Sequence, residues 1–351
     1  MPLEYTWTYV QVFKMPIISE KYRTIWEKIR TDTIRLDQLF AVHRGLWTGV
    51  PYLYVVQQSL VDEYSLEKEP LKPIIRGRDI RPFGFTWKGF YIIYASEKHF
   101  PDLPNKYVNI MKWLESGKLV LERRAAVFTW NKKWWELEDP LDPKVFEQKK
   151  IISPLFSRQQ SFAIDEQGLY YVLDSTILLR KWLSYEEQKM YAENWKKVNE
   201  ATLNVENFIE AGREARKILG NDDDALWYTL GILNSETLEF FFKQYSPRLM
   251  KRTKRPKKGR WYSYMPPYVN ILPVKVAEEN TRKEVIKYSK EISEKTRTYL
   301  SIQQESERPE RKELESEIGF LMHELNEIVF DIYELKEEER IVIQNYVYKK
   351  R

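Results

Sequence analysis

The sequence predicts an α/β (α+β) protein, a mixed, twisted sheet followed by a C-terminal helical hairpin. Three observations carry that expectation. Short β-rich runs punctuated by Gly and Pro recur through the first 180 residues. Two apolar, strand-like segments, KKIISPLFSRQQSFAID and LYYVLDSTILLR, close that region. From about residue 278 the pattern changes to long helices, with Leu314, Ile318, Leu321, Leu325, Ile328, Ile332 and Leu335 spaced 4, 3, 4, 3, 4, 3.

Taken in order, YVQVFKMPIISEKYRTIWEKIR reads as a strand and then a helix. AVHRGLWTGVPYLYVV is a Gly-marked turn entering a β-rich stretch, LKPIIRGRDIRPFGF a Gly/Pro-marked connection, and WKGFYIIYAS a strand. NKYVNIMKWLES places Val108, Met111 and Leu114 on one helical face, with Gly117 as C-cap. Residues 184–219 are polar and helical and look like an insertion. NDDDALWYTLGILNSETLEFFFKQY is expected to be one strong helix with Leu226, Leu230, Leu233 and Phe240 as its buried stripe. VNILPV follows a basic loop as a strand. Val285, Tyr288, Ile292, Tyr299 and Ile302 mark a helix that folds back on the heptad helix through a turn at SERPE. The seam between them serves an intramolecular hairpin, a docking surface for a partner, or both. The expected division is 1–276 and 277–351.

Composition narrows the function classes. The 351 residues are 43% apolar and 15% aromatic, with no Cys, which removes disulfides and thiolate metal sites. No run approaches the roughly 18 apolar residues of a membrane span, and Met1 to Val12 is not a signal sequence, so a cytoplasmic protein with no membrane partner is expected. Abundant Lys and Glu without Cys suit a thermophile. Net charge is +5, unevenly spread: residues 275–351 carry 15 Lys/Arg against 18 Asp/Glu, a balance of −3 that leaves +8 on residues 1–274. A basic body favours a polyanionic partner.

The densest positive charge is LMKRTKRPKKGRWYSYMPPY. Arg248, Lys251, Arg252, Lys254, Arg255, Lys257, Lys258 and Arg260 fall within thirteen residues without one acid. Such a run is often simply a solvated loop. Here Pro247, Pro256 and Gly259 prevent a continuous helix, and Trp261, Tyr262 and Tyr264 follow. Cations interleaved with stackable rings suit a nucleic-acid surface, with lysines on phosphates and arginines able to read guanine edges.

Three chemical motifs compete with that reading. Met265-Pro266-Pro267-Tyr268 echoes the tetrapeptide with which amine-modifying DNA methyltransferases hold a flipped base, but a thioether is a poor acceptor in the first position. The chain also has no Gly-x-Gly to admit a methyl donor. The prolines serve more simply to end one segment and orient the next. Asp174, Glu187 and Lys189 have the order of an Asp…Glu-x-Lys nuclease, yet SYEEQKMYAENW reads as helix where that motif needs a strand. His43, His99 and His323 lie far apart. No catalytic or metal-binding residue is expected from these.

Seven segments, in order, resemble one family. RGLWTGVPYLYVV, with Gly45, Thr48 and Gly49, resembles the Arg/Lys-Gly-x-x-Thr-Gly turn that opens the specificity region of type IIG restriction-modification enzymes. LKPIIRGRDIRPF, with Gly77 and Asp79, resembles that family's Pro-x-x-x-Gly-x-Asp-Ile segment. LERRAAVFTWNKKWWEL, KKIISPLFSRQQSFAIDEQGLYYVLDST, LGILNSETLEFFFK and VNILPV are similar to its later landmarks. ELNEIVFDIYELKEEERIVI resembles its tail, also seen in type I specificity subunits, with Glu334 where the family usually has Gly. The resemblance spans about residues 26 to 345. It implies a TaqI-like C-terminal specificity region of an adenine-specific DNA methyltransferase. Such a region reads duplex DNA while a catalytic domain or subunit, either missing from a fragment or encoded as a separate chain, methylates. S-adenosylmethionine is then expected only on that catalytic partner, with no cofactor on this chain. Base-contacting residues vary most in such regions, so none carries over by motif. An assembly subunit docking through its tail is the alternative, and a metal-dependent nuclease a remoter one.

Overall fold

A four-stranded sheet divides the molecule. The computed structural model describes residues 18–249, 261–302 and 309–350, the side chains of 248, 249 and 350 excepted. The sheet runs in the order Ala163–Asp165, Lys150–Pro154, Thr176–Arg180, Ala41–Arg44, every pair antiparallel. All five residues of each central strand are buried. Because side chains alternate across a strand, Ile151, Ile177 and Leu179 enter one core while Ile152 and Leu178 enter another. That is why these segments read as continuous apolar runs rather than as alternation.

The first core holds the helices. Glu20–Arg30, Asp222–Leu233, Glu236–Tyr245 and the tail helices Glu279–Ser301, Pro309–Ile332 and Glu337–Lys350 close over one sheet face. The second core lies under a mixed sheet in which Leu71–Ile75 is parallel to Tyr171–Val172 and antiparallel to Phe90–Ile93, which pairs in turn with Val55–Gln57. The protein is thus mixed α and β as expected, but with several small sheets in place of one. A third, smaller cluster joins Tyr185–Val198 and Val205–Leu219, the polar helical stretch, through Trp182, Tyr191, Trp195 and Phe208. No described helix is long and apolar enough to cross a membrane.

Several local expectations are corrected. The Asp222–Tyr245 stretch is two helices. Asn234 uses its amide to imitate a strand, accepting from Phe162 N at 3.0 Å and donating to Phe162 O at 2.9 Å, and Ser235 then caps the second helix at Leu238 N. Gly117 does not end its helix in a left-handed turn. It precedes Lys118–Glu122 with φ −112°, and Val108 is exposed while Ile110 joins Met111 and Leu114 inside. LKPIIRGRDIRPFGF opens with a true strand, Leu71–Ile75, rather than being a connection throughout. The expected strand at YVQVF and most of the SERPE turn lie outside the described residues.

The heptad seam is taken up within the chain. Leu321, Leu325, Ile332 and Leu335 share a core with Val285, Ile292, Trp227 and Leu230, so apolar residues on both sides of position 276 pack together. Tyr22, Phe240 and Tyr346, from three helices, meet edge-on at 5.2–5.6 Å between centroids. Glu334, in place of glycine, keeps the left-handed turn at φ +55°: Leu335 N donates to Phe330 O at 2.9 Å, and the Glu334 carboxylate meets Lys275 at 2.6 Å.

Two outcomes follow from this packing. L325A should lower unfolding free energy by about 2–5 kcal/mol in urea melts without changing oligomeric state; a neutral result would mean that the seam is not internal. E334G should raise the urea midpoint or leave it unchanged, because an exposed ion pair is worth little against relief of a left-handed backbone; a clear fall would contradict that balance.

Candidate nucleic-acid interface

The basic block is framed by a hairpin. Arg248–Leu249 pairs antiparallel with Trp261–Ser263, Leu249 opposite Trp261, and Trp261–Ser263 pairs on its other edge with Phe156–Ser157. Lys251, Arg252, Lys254, Arg255, Lys257, Lys258 and Arg260 lie outside the described residues, and only the backbone of Arg248 is described. The base of the hairpin is firmly seated. Tyr264 stacks on Phe242 at 4.3 Å, and Ser246 Oγ donates to Ser263 O at 2.9 Å.

Tyr262 requires a correction. It is fully buried, with the Lys243 ammonium 5.3 Å from its ring centroid, and Lys243 is itself buried and paired with Glu239. Tyr264 is buried too. The period of two sends 262 and 264 inward, so neither ring is presented to a base. Trp261 faces the other way, 38% exposed, with the Arg158 guanidinium 5.7 Å from its ring. Arg158, outside the sequence block, is therefore a cation that charge counting missed.

The glycine-marked turn after Ala41–Arg44 is scaffold. A Cβ on Gly45 would stand 2.2 Å from Leu173 O, so only glycine allows the chain to pass the Tyr171–Val172 strand this closely. Trp47 and Asp139 exchange backbone hydrogen bonds at 2.9 and 2.8 Å. Thr48 is buried, and Gly49 turns with φ +72° against the Glu138 carboxylate. Arg124 holds this region together, donating to the carbonyls of Thr48 (3.2 Å), Leu121 (3.1 Å), Trp134 (2.7 Å) and Glu136 (2.7 Å), with Glu138 at 3.8 Å to balance its charge. Nothing in its sequence position sets Arg124 apart from Arg123 beside it. Gly77 packs against Ser175 O. Asp79 is gripped by Arg76 at 2.6 and 3.2 Å, and that guanidinium sits 3.8 Å above the Phe90 ring.

Beside the turn lies a cleft of about 190 Å³ where the three clusters meet. Its walls include His43, Asp174, Tyr191, Trp195, Pro266 and Asn270. The Pro-Pro echo thus borders a cavity, but not as a base clamp. Pro266 O accepts from Asn270 N at 2.8 Å and Met265 O from Tyr268 N at 2.9 Å, so these carbonyls are engaged within the one-turn helix Pro266–Val269. Burial, with Arg180 nearby, holds the His43 pKa well below the usual imidazole value, so the ring is neutral at pH 7. Burial also raises the carboxyl pKa of Asp139 and of Asp174 above the ordinary range.

The nuclease-like trio is not a metal site. Glu187 lies on the helix Tyr185–Val198, forms a two-pronged pair with buried Arg180 and accepts from Leu183 N at 2.8 Å. Asp174 faces Arg44 at 3.4 Å. Among the described residues no group of three or more His, Asp or Glu could hold a metal ion. His99 contacts Ser96 at 3.3 Å, and His323 lies on the Pro309–Ile332 helix.

No protein-family pattern and no curated protein sequence matches the chain. Among solved structures it is similar to the type IIL restriction-modification enzyme MmeI in complex with DNA, with TM-score 0.53 and 10% identity over 97% of this chain and 37% of that one. It also matches the type IIG restriction endonuclease BpuSI at TM-score 0.44 and 11% identity, over 90% of this chain and 33% of that one. The chain therefore spans about a third of either enzyme, and what it shares with MmeI is the fold.

Proposed function

We propose that this chain is the sequence-specific duplex-DNA recognition module of a restriction-modification system, of the kind that serves adenine-specific DNA methyltransferases. Methylation, with its adenosylmethionine, belongs in this reading to a catalytic domain or subunit outside the chain. The observation that carries the proposal is the fold shared with part of a restriction-modification enzyme solved on DNA. The ordered resemblance to type IIG specificity regions and the basic block between two paired strands support it. The scaffold residues Gly45, Gly49 and Arg124 hold the body rigid, and contacts to DNA fall to Arg248–Arg260, Trp261 and Arg158. Tail docking as the main function is not favoured, since the seam is already packed within the chain.

A salt-controlled gel-shift assay over a randomised duplex pool, with the chain alone and with its catalytic partner, should enrich one sequence; absence of enrichment in both arms would overturn the proposal. Replacing Lys251, Lys254 and Lys257 together by Ala should weaken binding to all duplexes and flatten the log–log salt dependence by roughly 0.9 for each phosphate no longer neutralised. An unchanged slope would remove the block from the interface.

A further inference from the structure

Beside the hairpin stands a cation with no counter-charge. The short loop between Phe156–Ser157 and Ala163–Asp165 is anchored at both ends. Ser157 sits in the ladder opposite Tyr262, while Gln160, Ser161 and Phe162 are buried, and both backbone groups of Phe162 are bonded to the Asn234 amide at 3.0 and 2.9 Å. Of residues 157–162 only Arg158 is exposed, with Gln159 half-buried beside it. The Arg158 guanidinium lies 5.7 Å from the centroid of the Trp261 ring. Among the described residues it has no carboxylate within ion-pair distance and no hydrogen-bond acceptor. The block between Leu249 and Trp261 contains no acid that would pair with it.

Its support is rigid. The Trp261–Ser263 strand is hydrogen-bonded on both edges, and Tyr262 and Tyr264 are buried beneath it. Trp261 therefore presents its indole from a fixed backbone, and attraction to the ring face limits how the guanidinium turns. That matters differently for the two kinds of DNA contact. A phosphate asks only for charge, which a flexible lysine supplies. A base edge asks for two donors held in one plane, which only the planar arginine fork supplies. Arg158 stands apart from the lysine-rich block, alone on an anchored loop and against a fixed ring, which suits the second role.

We propose that Arg158 is a base-reading residue: from its place against Trp261 its fork donates to O6 and N7 of one guanine in the major groove, and Trp261 is the residue that positions it. The assignment rests on the DNA-recognition reading and deepens it, naming one base of the target site and the side chain that reads it. The lysines of the basic block then serve the DNA backbone and carry none of the preference at that position.

The test takes the duplex that the wild-type chain enriches and replaces its guanines one at a time by 7-deazaguanine, which keeps O6 but carries C–H in place of N7. One of these replacements should weaken wild-type binding severalfold. R158A should bind the unmodified duplex about tenfold more weakly and be insensitive to 7-deazaguanine at that position. R158K restores the charge without the fork, and should not restore the preference. W261A should reduce sensitivity at the same guanine and at no other. Wild-type binding that no replacement affects, or an R158A protein that responds at the same guanine as the wild type, would overturn the assignment. So would an R158K protein with wild-type affinity and preference, since Arg158 would then act as charge alone. Failure to enrich any duplex would remove the recognition reading and this assignment together; an enriched site that R158A reads as the wild type does would remove this assignment alone.

Discussion

A sheet buried on both faces sets the terms for everything around it. Once Lys150–Pro154 and Thr176–Arg180 are covered on each side, a charge on those strands is costly unless it is paired inside the protein. Lys150 has one in Asp165 at 2.5 Å, with Phe146 O at 2.6 Å, and burial still lowers its pKa. Arg180 has Glu187. These pairs stand at the margins of the sheet, where the cores on its two faces and the Trp182–Phe208 cluster converge. Breaking one would leave an isolated charge in a dry interior, so Lys150–Asp165 locks two neighbouring strands together and Arg180–Glu187 fixes the helix Tyr185–Val198 against its strand. The polar 184–219 segment is attached in this way, through Arg180 and through the contact of Gly212 with Gln38.

Much of this was legible in the sequence, and the exceptions have physical causes. The central strands, the polar helices and the tail pairing show themselves through continuous apolar runs or through a repeat, which reflect burial directly. The break at Asn234-Ser235 is hidden because its reason is distant: the amide is needed by Phe162, seventy-two positions away. Arg124 is hidden for a similar reason, since its carbonyl partners come together only in the folded chain. Rings next to a basic block look alike on paper, and strand alternation alone separates exposed Trp261 from buried Tyr262. Tyr191, Trp195 and Asn270, which build the cleft with the Gly45 turn, come from three stretches whose meeting no spacing rule announces.

Charge and rigidity are divided between different parts of the molecule. The acidic tail packs its apolar residues against Trp227 and Leu230, and its carboxylates hold cations of the body, as Glu339 holds Lys28 at 2.7 Å. The basic excess sits on residues 1–274.

The Arg124 clamp carries a consequence for how such a chain can change. One guanidinium gathers the carbonyls of Leu121, Trp134 and Glu136, so the chain leaves and re-enters the scaffold at nearly the same point. The helix Ala125–Trp130 between them, with Phe128 77% exposed, is in effect a detour closed at its neck. Ala126 is its one buried residue, so the exposed positions around it, Phe128 among them, can change without disturbing the walls the segment departs from, a natural place for a lineage to try new surfaces while the framework stays still.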